Sequence, residues 1–457
     1  MPAKPVVIIL FFQKTGEGLG FLSPMGRGFS VIYPFSTVIS GDYKYNDFYQ
    51  IFASVNKMPS KIPCLLYDFS IFSPPMISFE LTDEQDMLRQ TIRDFAKNEI
   101  APQAMERSAK EEFSIDLVHK MGELGLFGMT VSPDDGGQGL DTLSYVIAVE
   151  EIARVDGSAA ATVAAGNSLG LGPIAQFGSK EQKQKYLPDL VTGKRLWSFG
   201  LTEPEAGSDA GSSKTTAVLE RGQWVINGSK IFITNGSSEI SAGCTVQAIT
   251  GKKGEEKEIS CILVEQETPG FTAKTMHNKL VWRASNTAEL YFDDVKVPEK
   301  NLLGGRGQGF RQMLKTLDGG RLGIAAMALG GAEGAFEAAL KYADERKTFG
   351  KPIKKHQAIA FKLADMATQI EAGRHLLYKG CWLKDQGKPF GKEAAMAKLF
   401  CSEMMGMVVD QAVQIHGGYG LMEEYPVARF YRDHKLLEIG EGSSEVQRIV
   451  ISRHLGC

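Results

Sequence analysis

The chain has 457 residues, 43% of them hydrophobic, and sets 51 Lys plus Arg against 54 Asp plus Glu for a net charge of −3. That length exceeds what one hydrophobic core usually serves, so two or three domains are expected. The near-neutral balance argues against nucleic acid or an anionic membrane as the main partner, and no apolar run approaches the roughly 18 residues of a membrane span. Six Cys without a Cys-x-x-Cys pair and seven His without ligand spacing argue against a disulfide framework or a metal site, and fit a reducing compartment.

Residues 1–75 differ from the rest. They hold 14 of the 42 aromatic residues, with scattered Gly and Pro and no sustained period. Val6 to Phe12 is short for a signal-peptide core and lacks a clear small-residue cleavage site. A mitochondrial presequence should be rich in Arg and poor in acids, yet this stretch has one Arg (Arg27) and four acids (Glu17, Asp42, Asp47, Asp68). Just beyond Met76, Thr82 and Gln85 make a capping-box helix start. We read Met76 as the native start and residues 1–75 as a disordered extension or a start-site overrun, which an intact mass of the native protein would test. Lack of a presequence favours a bacterial cytoplasm over a mitochondrial matrix.

From Thr82 to about Trp197 the pattern is helical: Leu88, Ile92, Phe95 and Ile100 recur at near-helical spacing, and Pro102 marks a bend or an end. Gly122 to Gly139 reads as a turn-rich link, Leu143 to Val155 as a helix, and Gly157 to Gly172 as a small-residue stretch that permits close packing. At Phe199 the texture changes. Trp224 to Gly236 reads as two short strands around an Asn227-Gly228 hairpin turn, with further strands at Cys261 to Val264 and Ala288 to Val297. After Gly309 helical periodicity returns, over Arg321–Arg346, His356–Asp385, Glu393–His416 and Ser444–Leu455. The expected organisation is a helical domain at 76–198, a β-domain at 199–305 and a helical bundle at 306–457.

Five stretches carry chemistry. Leu201-Thr202-Glu203-Pro204-Glu205-Ala206-Gly207-Ser208-Asp209 offers hydroxyls and close backbone approach to a flat ligand, or is a plain turn. Phe232-Ile233-Thr234 offers a stacking ring and a hydroxyl, or is an ordinary strand. Asp344 to Pro352, which includes Arg346 and Phe349, places cations where a helix dipole favours them and where a pyrophosphate would suit them; Gln357 follows soon after. Gln414-Ile415-His416-Gly417-Gly418-Tyr419-Gly420 is a glycine-rich break between helices. In Gly440-Glu441-Gly442 a carboxylate stands on a glycine-flanked turn, with Ser444 as helix N-cap and Gln447 completing a capping box. It is a candidate general base, or an ordinary loop into a terminal helix. Glu445, in the first helical turn, is the bland carboxylate there.

Taken together and in this order, from Phe79 to the C-terminus, the five stretches resemble the acyl-CoA dehydrogenase family. The resemblance implies a helical N-terminal domain, a middle β-barrel, a C-terminal four-helix bundle, non-covalent FAD and a homotetramer. It puts flavin contacts on Phe199, Leu201, Thr202, Gly207 and Ser208 and on Phe232, Ile233 and Thr234. It puts the FAD pyrophosphate and adenosine on Arg346, Phe349, Gln357, Gln414, Gly417, Gly418, Ser443, Ser444 and Glu445, with Arg346 and the glycine-rich stretch serving a neighbouring subunit. Ser208, Asp318, Gly319, Gly320, Arg321 and Gly442 resemble acyl-CoA contacts.

The same resemblance implies that Glu441 removes the thioester α-proton while the β-hydrogen leaves to the flavin, giving a trans-2-enoyl-CoA. The carbonyl would be held by the Glu441 N–H and a flavin side-chain hydroxyl, and the electrons would go to electron-transfer flavoprotein. Some branches of the family carry the base immediately before the arginine at 321. Here that residue is Gly320, which leaves Glu441 as the matching base. A buried site should raise its pKa toward neutrality. The Gly/Ala-rich stretch favours a short, branched or alicyclic acyl group. The alternatives are an acyl-CoA oxidase-type flavoenzyme, a nitroalkane-oxidase-like or nucleic-acid-associated member, and a non-catalytic flavoprotein of the same fold.

Overall fold

The structure, a computed structural model, describes residues 80–457 together with the backbone of one N-terminal hairpin, β1 (Phe12–Thr15) and β2 (Gly18–Phe21). The readings made for residues 1–75 otherwise lie outside the described residues. The chain divides into two compact units at Ile77/Ser78, and all that follows concerns the second, Ser78–Cys457.

The capping box written in Thr82 and Gln85 is formed: the Gln85 N–H donates to Thr82 Oγ1 and the Thr82 N–H to Gln85 Oε1, each at 3.2 Å. It starts α1 (Asp83–Phe95), which runs through one wide π turn (Ala96–Ile100) into α2 (Ala101–Lys110), so Pro102 sits harmlessly in a first turn. Then come α3 (Ile115–Glu123), α4 (Thr142–Ala153), α5 (Gly157–Ala165), α6 (Gly172–Phe177) and α7 (Lys180–Leu190). Helix α4 is buried almost all round.

The middle segment folds as one curled seven-stranded sheet: β3 (Leu196–Gly200), β4 (Thr216–Glu220), β5 (Gln223–Thr234), β6 (Ser241–Lys253), β7 (Glu256–Glu265), β8 (Phe271–Thr275) and β9 (Thr287–Pro298). The strand order is β3-β6-β4-β5-β9-β8, with β7 on the other edge of β6. The expected hairpin at Asn227-Gly228 is not there. β5 runs straight through it with a register shift against β9, and the Asn227 side chain bonds Asp294 across that pair. The hairpin turn lies instead at Arg221-Gly222, where Glu220 faces Gln223 and both turn residues have positive φ (51° and 79°). Twelve residues of cross-strand pairing outweighed the local Asn-Gly preference, which a bulge satisfies equally well.

The C-terminal part holds α8 (Gly309–Glu345), a two-residue-strand hairpin β10 (Lys347–Thr348) and β11 (Lys351–Pro352), α9 (Gln357–Asp385), α10 (Gly391–His416), α11 (Pro426–Ile439) and α12 (Ser444–Leu455). Helix α8 begins twelve residues before Arg321, and α11 was not expected at all, since Tyr431, Arg432 and Lys435 break up its apolar stripe. One continuous core joins α4 and α5 to α8, α9, α10 and α11, while the sheet has its own. A buried ionic network reinforces the helical seam: Glu151, fully inaccessible, takes two hydrogen bonds from Arg93 at 2.7 and 2.8 Å and also faces Arg154. Trp282 ties the sheet to this body, its N–H donating to the buried Asp433 of α11 at 2.9 Å.

Candidate active site

The turn between α11 and α12 carries Glu441 in the left-handed region (φ 51°), followed by Gly442 (φ 95°). A non-glycine residue in that conformation is costly and marks an overdetermined backbone. What overdetermines it is visible. The Gly442 carbonyl accepts from Lys398 Nζ of α10 and from Gln447 Nε2 of α12, each at 2.8 Å, and Gln447 Nε2 also reaches the Glu441 carbonyl at 3.2 Å. The N-cap of α12 is Ser443, whose Oγ accepts from the Val446 N–H at 3.4 Å. Ser444, expected as the cap, is buried with its hydroxyl unpartnered. The cap moved by one residue because Gln447 spends its amide on the turn carbonyls rather than on a capping box.

From that turn the Glu441 side chain points onto α8. A Cβ at Gly320 would overlap Glu441 Oε2 and stand 2.7 Å from its Cδ, so the missing side chain at 320 is the space the carboxylate occupies. One helical turn on, a Cβ at Gly323 would stand 2.8 Å from the Tyr145 hydroxyl of α4. Glu441 Oε2 is buried without a hydrogen-bond partner. Burial pushes its pKa up to about 7, against the opposing pull of Arg321 and Lys398. Arg321, 4% exposed, donates to Asp318 at 2.6 Å. Burial lowers its pKa and raises that of Asp318.

A second group sits on the sheet. Leu201 and Thr202 are partly buried after β3, while Gly207 and Ser208 are exposed, and a Cβ at Gly207 would meet nothing within 4 Å. Glu203 pins this loop. It accepts from Lys230 Nζ at 2.8 Å, the Thr215 N–H at 3.0 Å and the Lys214 N–H at 2.6 Å, while Lys230 also donates to the Leu201 carbonyl at 3.0 Å. Burial raises the Glu203 pKa, but these donors outweigh it and hold it below the usual carboxylate value. Glu203→Gln puts an amide N–H where an acceptor is needed, so we expect a loss of about 2 kcal/mol in thermal or urea unfolding together with weaker retention of flavin. Phe232 is 63% exposed at a left-handed φ of 61°, beside a register shift in β5. Ile233 and Phe199 turn inward, at 3% and 7% exposure, so of Phe232-Ile233-Thr234 only Phe232 and Thr234 offer side chains.

A third group lies elsewhere. Arg346 and Phe349 stand on or beside the β10–β11 hairpin, Phe349 96% exposed, and Gln357 opens α9 on the surface. Gln414, Gly417 and Gly418 are exposed at the end of α10, whereas His416 is buried and stacked on Tyr342 at 4.3 Å. Arg346 follows α8 directly, 26 residues past Gly320, which is roughly 40 Å at 1.5 Å per residue. Within one chain Arg346 is therefore remote from Glu441, and the end of α10 lies by the same far part of α8, where His416 stacks on Tyr342. Gly320, Arg321 and Gly442 do gather around Glu441, Asp318 joins them through Arg321, and Ser443 and Glu445 flank its turn, whereas a Cβ at Gly319 would face Lys384 instead. Lys398 and Tyr145 were missed, and Gln447, read as a capping-box partner, instead holds the turn carbonyls. Only Lys398 left a signal, a charge inside the buried face of Ala394, Ala395, Ala397 and Cys401.

One chain thus carries a carboxylate with a buried, unpaired oxygen on a strained turn and, on its sheet, an exposed aromatic at a left-handed φ and open glycine backbone. Models of the acyl-CoA dehydrogenase N-terminal, middle and C-terminal domains match residues 82–194, 198–295 and 307–456. A probable acyl-CoA dehydrogenase of Bacillus subtilis is 52% identical over 83% of this chain and 100% of its own length. The short-chain specific acyl-CoA dehydrogenase of Clostridium acetobutylicum is 47% identical over 82% and 99%. The structure of butyryl-CoA dehydrogenase from Megasphaera elsdenii superposes with a TM-score of 0.81 at 45% identity, over 83% of this chain and 100% of that one. The chain belongs to the acyl-CoA dehydrogenase family of flavin-dependent oxidoreductases, with the three-part fold that membership entails. Among the described residues no helix is long and apolar enough to cross a membrane.

Proposed function

We propose that the protein oxidises short-chain acyl-CoA thioesters to trans-2-enoyl-CoA, with Glu441 as the base and electron-transfer flavoprotein as acceptor. The observation that carries this reading is the Glu441 carboxylate itself, seated over Gly320 with a free oxygen and a pKa near neutrality. The short-chain preference follows the Clostridium and Megasphaera relatives, and branched and alicyclic chains of similar size belong to the same class. The Bacillus and Clostridium relatives support a bacterial cytoplasmic setting.

The residues present fit FAD: hydroxyls at Thr202, Ser208 and Thr234, the exposed Phe232 ring, and open backbone at Gly207, with Glu203 and Lys230 fixing the loop. When bound, FAD accepts the hydrogen and the electron pair that leave the β-carbon. Everything else falls to the chain. Asp318 and Arg321 help seat the thioester, and the Glu441 N–H donates to its carbonyl, which acidifies the α-carbon. Glu441 takes the α-proton, its buried carboxyl binding it near neutral pH. Arg346 is too far along α8 to share a dinucleotide with Glu441, and Phe349, Gln357, Gln414, Gly417 and Gly418 belong with it; this group serves the FAD of a neighbouring copy in a homotetramer.

Anaerobic titration of the holoenzyme with saturated acyl-CoAs of increasing chain length tests the reading. We expect flavin absorbance to bleach most readily with four- to six-carbon chains, with enoyl-CoA as product. Absence of bleaching with every chain would favour a non-catalytic flavoprotein, and rapid reoxidation of the reduced enzyme in air would favour an oxidase. Because a base must be ionised to act, kcat/KM should fall as pH drops below about 7, the pKa of Glu441, and level off above it.

A further inference from the structure

Lys398 is fully buried in the middle of α10, and its ammonium donates to a single protein acceptor, the Gly442 carbonyl at 2.8 Å. An ammonium has three donors and a large desolvation penalty, so a buried lysine needs a countercharge. Arg321, on α8, is committed to Asp318 at 2.6 Å. Glu438, on α11, is held by Lys435 at 2.6 Å and faces His434. Glu403, one turn along α10, is held by Arg448 at 2.7 Å. Glu445 is exposed at the start of α12, and Tyr145 of α4 is neutral, its pKa raised by burial. His454 bears on Asp318 rather than on the base. Among the described residues Glu441 has no ion pair within 4 Å and its Oε2 has no hydrogen bond, while Arg321 and then Lys398 favour its ionised form. What ties Lys398 to the base in the fold is the carbonyl of the next residue, Gly442, which it grips at 2.8 Å.

We propose that Lys398 is the positioning residue of the base: its buried charge sets how readily Glu441 ionises, and its grip on the Gly442 carbonyl holds the left-handed turn that aims the carboxylate at Gly320. This rests on Glu441 being the base. Burial drives Glu441 up and Lys398 down. Each opposes the shift in the other, alongside the pull of Arg321 on Glu441, and Lys398 stands at about 8.

The test uses holoenzyme with a four-carbon acyl-CoA. Lys398→Gln removes the charge but keeps a donor, and Lys398→Arg keeps the charge. In Lys398→Gln the apparent pKa of kcat/KM should rise by about one unit, so activity at pH 6.5 falls about tenfold while at pH 9 it stays within about threefold of wild type. Lys398→Arg should leave the pKa near its wild-type value. A reciprocal measurement leaves Lys398 intact: NMR of lysine side chains should show Lys398 deprotonating at lower pH in Glu441→Gln than in wild type. An unchanged pH profile in Lys398→Gln, a uniform loss at every pH with a lowered Tm, or a Lys398 titration indifferent to residue 441 would each overturn the proposal while leaving the base assignment standing. Near-normal turnover of Glu441→Gln would instead remove the assignment beneath it.

Discussion

Glu441→Gln should lower kcat for a short acyl-CoA by about 10²- to 10⁴-fold, the usual contribution of a general base, or roughly 3 to 5 kcal/mol of barrier. Glutamine keeps the volume and the left-handed turn but has no basicity. Stability should change little at neutral pH or above: Oε2 has no hydrogen bond to lose, a neutral amide is easier to bury than a carboxylate, and Lys398, deprived of the nearby negative charge, can shed its proton rather than stay charged. Flavin content and acyl-CoA affinity should therefore stay near wild type while turnover collapses, which separates a lost base from a lost fold. The pH dependence below about 7 should vanish with it. Glu445→Gln is the control. Glu445 is exposed, and Ser443 together with its own helix N-terminus holds it below the usual carboxylate pKa, so its loss should cost little activity. Turnover surviving at position 441 and lost at 445 would reverse the assignment.

Gly320→Ala is the second large effect, expected to lower kcat by about 10²- to 10³-fold through a displacement of the base on the order of 1 Å. The new methyl group would overlap Glu441 Oε2 and stand 2.7 Å from Cδ, so the carboxylate must rotate away from α8. Helix propensity favours alanine by about 1 kcal/mol. The variant should therefore fold and melt at or above the wild-type temperature while losing activity. That combination distinguishes steric eviction of the base from general damage. Normal kcat in Gly320→Ala would mean that the carboxylate works from some other position. The same geometry explains why a glycine stands before Arg321: the base arrives from the α11–α12 turn, and a side chain at 320 would take its place.

The motifs that name the chemistry were legible because they are local. Glycines on both sides of Glu441, the Thr82/Gln85 cap and the cations ending α8 each depend on neighbours within a few residues, and each is where the residues placed it. Local reasoning failed where distant pairing had a vote. The Asn227-Gly228 turn became a bulge because β5 gains more from pairing with both β4 and β9, and the α12 cap shifted to Ser443 because Gln447 answers to the turn that Lys398 holds.

Sequence by itself determined the order of helical, sheet and helical segments and offered Glu441 on its glycine turn, which follow from composition, period and residue type; the family came from the resemblance of five motifs in order. Only the tertiary structure decided that Glu441 rests on Gly320, that the buried Lys398 grips the carbonyl of its turn at Gly442, and that Arg346 lies roughly 40 Å along α8 from the base. The physical reason is that desolvation, charge pairing and steric room are properties of what surrounds a side chain. For Glu441 those surroundings come from α4, α8, α10 and α12, segments up to about 300 residues away along the chain.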